Sequence, residues 1–176
     1  MLDKKNLEII LHNDDIMEKI KKIAKDLDKR YEGQNPVIIG IMKGAVYFMT
    51  DLTSNMNIDL EIDIMCLSSY GESAKSSGKV KILKDIDIDI ENRPVIVLED
   101  IVDTGTTLAY LKEYFKYQNA KSVETISIFQ KDGTNTKGIK ADVIGFVLPD
   151  FFLVGYGLDY ANRYRHLKHV YKVLKI

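Results

Sequence analysis

Apolar residues recur along this chain at two periods. Ile16, Ile20, Ile23 and Leu27 follow the spacing of a helix with one buried stripe. Asp14 or Asp15 is expected to cap its start, and Gly33 with Pro36 to close it. Residues 37–42 (VIIGIM) are continuously apolar, the habit of a strand covered on both faces of a parallel sheet. Lys43 and Gly44 break that run, and 45–55 read as a helix packing back on the sheet. From 58 to 67, Leu60, Ile62, Ile64 and Cys66 alternate with Glu61, Asp63 and Met65. This predicts a second strand, with Cys66 as a buried small hydrophobe. Residues 79–84, 95–99, 122–129 and 143–148 are strand-like, and 151–155 and 169–174 are shorter strand candidates. Residues 106–118 are helical, with Leu108, Leu111 and Phe115 on one stripe. Strand and helix alternate from 37 to 129, which predicts an α/β fold with a central, mostly parallel sheet flanked by helices.

Two stretches fit neither period. Residues 68–78 (SSYGESAKSSG) hold Ser and Gly with almost no apolar anchor, and read as a flexible loop. Residues 85–91 alternate acid with isoleucine. Asp85, Asp87 and Asp89 open like a calcium loop, but Ile90 and Ile96 stand where glycine and glutamate are required, so an edge strand or hairpin with a solvated acidic face is expected.

The 176 residues suit one domain, with a core over about 37–145 and a small hood built from the N-terminal residues and about 146–176. One cysteine excludes a disulfide framework and Cys-rich metal modules. Lys and Arg number 25 against 26 acids, a net charge of −1, which argues against a nucleic-acid partner. No apolar run reaches the roughly 18–20 residues of a membrane span. With no export signal and a free cysteine, a cytoplasmic location is expected. His12, His166 and His169 lack metal-ligand spacing and read as surface or tail residues.

Two phosphate-binding patterns fail. Gly133 and Gly138 have Walker spacing, but Ile139 and Lys140 follow in place of Lys-Ser/Thr. Gly155 and Gly157 are followed by Tyr160 where a dinucleotide fingerprint needs its third glycine. The informative segment is 95–107 (VIVLEDIVDTGTT). Four apolar residues form a buried strand, Glu99 and Asp100 stand at its carboxyl end, and a Thr/Gly loop leads into a helix. Ligands of open α/β sheets bind at such strand ends. The helix start offers unpaired N–H groups to a phosphate, Thr104, Thr106 and Thr107 add hydroxyls, and Gly105 lets the backbone approach closely. Acids at the mouth would repel a bare phosphate, but suit sugar hydroxyls and Mg²⁺. The implied ligand is a phosphorylated sugar diol bound with a metal.

This segment resembles the 5-phosphoribosyl-1-pyrophosphate (PRPP) signature of type I phosphoribosyltransferases, in the form of the hypoxanthine–guanine branch. Residues 40–45 (GIMKGA) are similar to that family's pyrophosphate loop, and 68–71 (SSYG) to the start of its mobile lid. Residues 129–131 (FQK) match the purine-reading lysine. Residues 154–160 (VGYGLDY) with 164–167 (YRHL) match the C-terminal hood.

The resemblance implies a purine salvage enzyme that joins a 6-oxopurine, hypoxanthine or guanine, to PRPP and releases pyrophosphate. It implies that Glu99 and Asp100 hold the ribose hydroxyls directly or through Mg²⁺. Residues 103–107 (Asp103, Thr104, Gly105, Thr106 and Thr107) wrap the 5′-phosphate, and Asp103 exchanges a proton with the purine. Lys43, Gly44 and Arg165 serve pyrophosphate, with a cis peptide bond before Lys43. Lys131 donates to the 6-oxo group, Phe152 stacks on the base, and Leu153 offers backbone contacts. Ser69 and Tyr70 stand at the root of the lid, and Asp159 is a second metal ligand beside Glu99 and Asp100. A homodimer or homotetramer is implied by analogy. Two alternatives remain: a regulator on the same fold that senses PRPP or nucleotides, and a xanthine-preferring enzyme.

Overall fold

The continuous apolar runs become the centre of a sheet. The computed structural model describes residues 4–69, 80–134 and 138–175. In chain order it holds β1 (Leu7–Leu11), α1 (Asn13–Tyr31), β2 (Val37–Met42), α2 (Val46–Thr53), β3 (Glu61–Ser69) and β4 (Val80–Lys84). There follow β5 (Pro94–Val102), α3 (Thr106–Tyr117), β6 (Ser122–Lys131), β7 (Val143–Leu148), β8 (Leu153–Val154) and β9 (Val170–Val173). Six strands form one sheet in the order β4-β3-β2-β5-β6-β7. All its pairings are parallel except β3 with β4. A second, antiparallel sheet runs β1-β9-β8 and forms the hood.

Burial explains the order. Val37, Ile38, Ile39 and Val95 to Leu98 are wholly inaccessible, as strands covered on both faces must be. On one face Ile38, Ile96, Leu98 and Ile126 meet Ile16, Ile20 and Leu27 of α1 and Phe48 and Leu52 of α2. On the other, Val37, Ile39, Val95 and Val97 meet Leu111 and Phe115 of α3. The buried acid of β6, Glu124, accepts the Tyr31 hydroxyl at 2.7 Å and pairs with Arg30, so its charge is satisfied from α1. The sheet runs to Leu148, and α1 shares its apolar cluster with both the sheet and the hood residues Leu153 and Val170. No helix of the described residues is long and apolar enough to cross a membrane.

Four expectations need correcting, and one strand, β1, was not foreseen. First, neither Asp14 nor Asp15 caps α1. Both lie in its first turn, where they complement the helix dipole, while the Asn13 N–H donates to Nδ1 of His169 at 3.0 Å. His169 is therefore half-buried and bonded, not a tail residue, and it packs edge-on against His12. Second, the inward face of β3 is carried by Met65, which packs under α3 with Val37 and Ile39. Ile62 on the opposite face is 46% exposed, and Cys66 is only half-buried.

Third, residues 85–91 are not a strand or hairpin. Asp63 takes their backbone: its Oδ2 accepts the N–H of Asp87 at 2.6 Å and of Ile88 at 3.0 Å. Ile86, Ile88 and Ile90 turn inward and the acids between them outward, so the alternation was read correctly but its hydrogen bonds go to a side chain. Fourth, β1 had no sequence signal of its own; it exists because β9 pairs with it from Leu7–Val173 onward. Fifth, 151–155 shrinks to the two residues of β8, because Phe151 leaves the sheet to lie under Lys172.

Candidate active site

The strand β5 ends where its alternation splits two neighbouring acids. Glu99 lines a cavity with Val102, residues 103–107 and Leu108, beneath the start of α3. Asp100 lines a second cleft with Ile101, Asp103, Lys131, Phe152, Leu153, Leu158 and Asp159. Asp103 and Ile101 border both. Two adjoining chambers therefore share the wall predicted from residues 95–107.

The first chamber is formed by the loop expected to cradle a phosphate. Gly105 caps α3 at φ +81°, turning the chain so that Thr104 and Thr106 face each other, with hydroxyls 3.1 Å apart. The Thr106 N–H points back to the Thr104 oxygen at 3.4 Å. Further N–H groups of the first helical turn lack intrahelical partners, as at any helix start. Thr134 donates to the Asp103 carbonyl at 3.2 Å and holds the loop from the side of β6.

The second chamber holds the charged groups. Lys131 Nζ, at the end of β6, stands 3.9 Å from Asp103 Oδ2 and 3.1 Å from Asp150 Oδ1. Phe152 is 42% exposed at the rim and packs edge-on against Tyr160 at 5.5 Å. Leu153 is buried and lies in β8, pairing with Lys172.

The pyrophosphate-type loop follows β2, and its Met42–Lys43 peptide bond is cis, as expected. Lys43 donates to Asn162 Oδ1 at 3.4 Å. Arg165 donates to the Gly157 carbonyl at 2.6 Å and pairs with Asp159 at 2.5 Å. Asp159 also accepts the Asn162 N–H at 2.8 Å. Gly44 and Gly157 explain how closely these parts meet. A methyl group at Gly44 would land on the Asp100 carboxylate, and one at Gly157 on the Gly44 carbonyl oxygen. Tyr156 anchors this contact from behind, donating to Asp51 of α2 at 2.7 Å. Burial first, then that bond, push its phenol far above the ordinary value, so it remains a donor.

Glu99 and Asp100 are buried carboxyls side by side. Burial holds Glu99 well above the carboxylate range, and the Asp100 charge adds to it. Burial likewise raises Asp100, against the Ile101 N–H and Arg165, which favour the charged form. Oε1 of Glu99 has no hydrogen-bond partner. The donor set of Glu99, Asp100 and Asp159 is all oxygen, which suits Mg²⁺. Among the described residues, however, no three acids, histidines or cysteines converge as a metal cluster. The fit is to a cation held by one or two carboxylates, with substrate oxygens and water completing its shell.

Of the predicted residues, the structure gathers Asp100, Asp103, Lys131, Phe152, Leu153 and Asp159 in one cleft. Glu99 and residues 104–107 are next door, and Lys43, Gly44 and Arg165 meet the hood above. The Ser69 side chain and all of Tyr70 lie outside the described residues. The sequence reading missed Asp150, Asn162 and Asp51. Each acts by a contact across the fold, and no local pattern marks such a contact. The cleft near Lys43 is also bordered by Cys66, which explains why that cysteine is not core.

Known proteins place this geometry. The model of the phosphoribosyl transferase domain matches residues 6–161. The hypoxanthine-guanine phosphoribosyltransferase of Bacillus subtilis (strain 168) is 44% identical over 93% of this chain and 91% of its own length. The bifunctional protein TilS/HprT of Listeria monocytogenes serotype 4b is 46% identical over 93% of this chain, which spans 25% of that longer protein. A crystal structure of a hypoxanthine phosphoribosyltransferase from Staphylococcus aureus superposes with a TM-score of 0.92 at 37% identity, covering 97% of this chain and 93% of that one. With a Thr/Gly loop at a helix start opening beside a lysine-bearing cleft, and relatives of this kind over nearly its whole length, the chain belongs to the phosphoribosyltransferase family, in the branch of the hypoxanthine–guanine phosphoribosyltransferases.

Proposed function

We propose that this chain transfers the 5-phosphoribosyl group of PRPP to hypoxanthine or guanine in purine salvage, giving the nucleoside monophosphate and pyrophosphate. The observation that carries this reading is Lys131. Its ammonium has only donors, and it faces the cleft beside Asp103, next door to the phosphate cradle. A donor-only group favours a 6-oxo oxygen over a 6-amino group.

In the reaction the ribosyl C1–O bond to pyrophosphate breaks and a bond to the purine nitrogen forms. The sugar carbon becomes cation-like, so the protein must hold the sugar, neutralise the leaving group and present the base. Thr104, Gly105, Thr106 and Thr107 would hold the 5′-phosphate. Lys43, the Gly44 backbone and Arg165 would meet pyrophosphate. Phe152 would stack on the base and Leu153 would offer its backbone to the base edge. Asp103 would take the proton that the purine ring sheds at N7. Ser69 and Tyr70 would help exclude water from the reactive sugar. Glu99, Asp100 and Asp159 would hold Mg²⁺ together with oxygens of PRPP. When bound, the cation supplies positive charge against the departing pyrophosphate. The family resemblance supports a cytoplasmic homodimer or homotetramer.

The test is product formation from PRPP and Mg²⁺ with hypoxanthine, guanine, xanthine, adenine and uracil, with a chelator control. Chelator-sensitive turnover of 6-oxopurines is expected. Tight PRPP binding without turnover of any base would instead make the chain a sensor.

A further inference from the structure

Asp150 was absent from the expected site, yet its ion pair with Lys131 is the closer one, at 3.1 Å against 3.9 Å for Asp103. Its position is fixed from both sides. The pairing of β6 with β7 continues to Lys131 and Leu148, and the Asp132 N–H closes it on the Leu148 carbonyl at 2.8 Å. The chain then turns tightly at Pro149, whose carbonyl accepts the Phe151 N–H at 2.7 Å. Phe151 is held beneath Lys172 at 3.8 Å, and Phe152 begins the cleft wall. Asp150 is thus pinned over the end of β6, where its carboxylate reaches the Lys131 ammonium and not the cleft itself. The Lys131 side chain is only 20% exposed, while both acids are more than half exposed.

We propose that Asp150 is a positioning residue for base recognition: it holds the Lys131 ammonium at the cleft wall and off Asp103. This inference rests on the function proposed above. An ammonium has three donors. With one on Asp150, another is aimed into the cleft for the 6-oxo oxygen. Without Asp150, the nearest anion is Asp103. Lys131 would then close on the carboxylate that must stay free for the purine proton, and its aim at the base would be lost.

The experiment is a double-mutant cycle on the full chain, with Asp150→Ala, Lys131→Ala and the pair, each checked for folding by thermal unfolding. The readouts are KM for hypoxanthine, KM for PRPP, and the ratio of kcat/KM for hypoxanthine to that for adenine. Asp150→Ala is expected to raise KM for hypoxanthine about tenfold and lower the hypoxanthine-to-adenine ratio by a similar factor, leaving KM for PRPP unchanged. In the Lys131→Ala background it should have no further effect. Asp150→Glu, which keeps the charge, should restore part of the loss. Equal losses in both backgrounds would mean that Asp150 merely braces the hood, and would overturn the inference. An unchanged base preference would also overturn it. If Asp150→Ala does not fold, Asp150→Asn carries the same cycle. A wild-type chain that turns over no 6-oxopurine would remove the proposed function and this inference together; additive losses with an active wild type remove only the inference.

Discussion

The proposed phosphate cradle and the hood are built in opposite ways. The cradle is one contiguous stretch, β5, a loop and the start of α3, and its bonds are short in sequence: Thr104 to Thr106, and Gly105 to Ala109 at 3.0 Å. The hood is assembled from chain ends and distant elements. Lys43 reaches Asn162, Tyr156 reaches Asp51, and Asn13 reaches His169. Local chemistry makes the cradle, whereas long-range packing makes the hood. The difference teaches where each can be broken: the cradle by changing a functional group, the hood by moving a backbone.

The largest expected effect is on the cradle side. Asp103→Asn should lower kcat by about 10²–10⁴-fold, the usual worth of a positioned general acid–base. PRPP binding by calorimetry should stay near the wild-type value, because the Thr104–Thr107 backbone is untouched. Unchanged turnover would take proton transfer away from Asp103.

The matching change in the hood is Gly157→Ala. Its φ of +94° and the Gly44 carbonyl oppose a side chain, so the cost is about 1–3 kcal/mol of stability. Because Arg165 bonds to the Gly157 carbonyl, KM for PRPP should rise as well. A variant as stable as the wild type would show that the Gly44–Gly157 contact does not seat the hood.

His169→Ala is a smaller probe. It removes the acceptor at the start of α1 and should cost about 1 kcal/mol, the scale of a helix cap, read as a lower midpoint in urea. Base preference should not change, because His169 lies outside the cleft.

The smallest effect is a pH dependence in the scaffold of the cradle. Burial alone would raise the Asp142 carboxyl, but bonds from the Thr125 hydroxyl and N–H, with Lys112 of α3, hold it below its ordinary value of 3.8. A depressed folded value means that this stabilisation is complete above pH 3.8 and is lost as pH falls through the folded value. The gap in Tm between wild type and Asp142→Asn should therefore narrow below that pH. A constant gap would place the stabilisation in shape and not in charge.

The same contrast decides what could be read from the sequence. The Thr/Gly loop and the apolar strands were legible because their cause is local, a run of apolar residues, an acid pair, a loop of Thr and Gly, whereas the cis bond before Lys43 was foreseen only through the family resemblance. Strand β1 was not, since LEIIL becomes a strand only when β9 lies beside it. Residues 85–91 were half legible. Their alternation correctly put isoleucines inward, but only the fold could reveal that Asp63 takes their N–H groups. His169 was misread because its partner stands near the other end of the chain. Asp150 escaped for a related reason: the tight turn at Pro149 that aims it has no meaning until β6 lies alongside.

The pairing of Leu7 with Val173 also sets a clock. At about 5–20 residues per second, synthesis leaves β1 waiting roughly 10–30 s for its partner. Meanwhile the central strands, close neighbours in sequence, can already assemble. During that interval a nascent chain carries an unpaired strand edge, the kind of edge that invites association with other chains. The hood closes that edge when β9 emerges and pairs with β1. Until translation has passed residue 173, β1 is free to find the wrong partner.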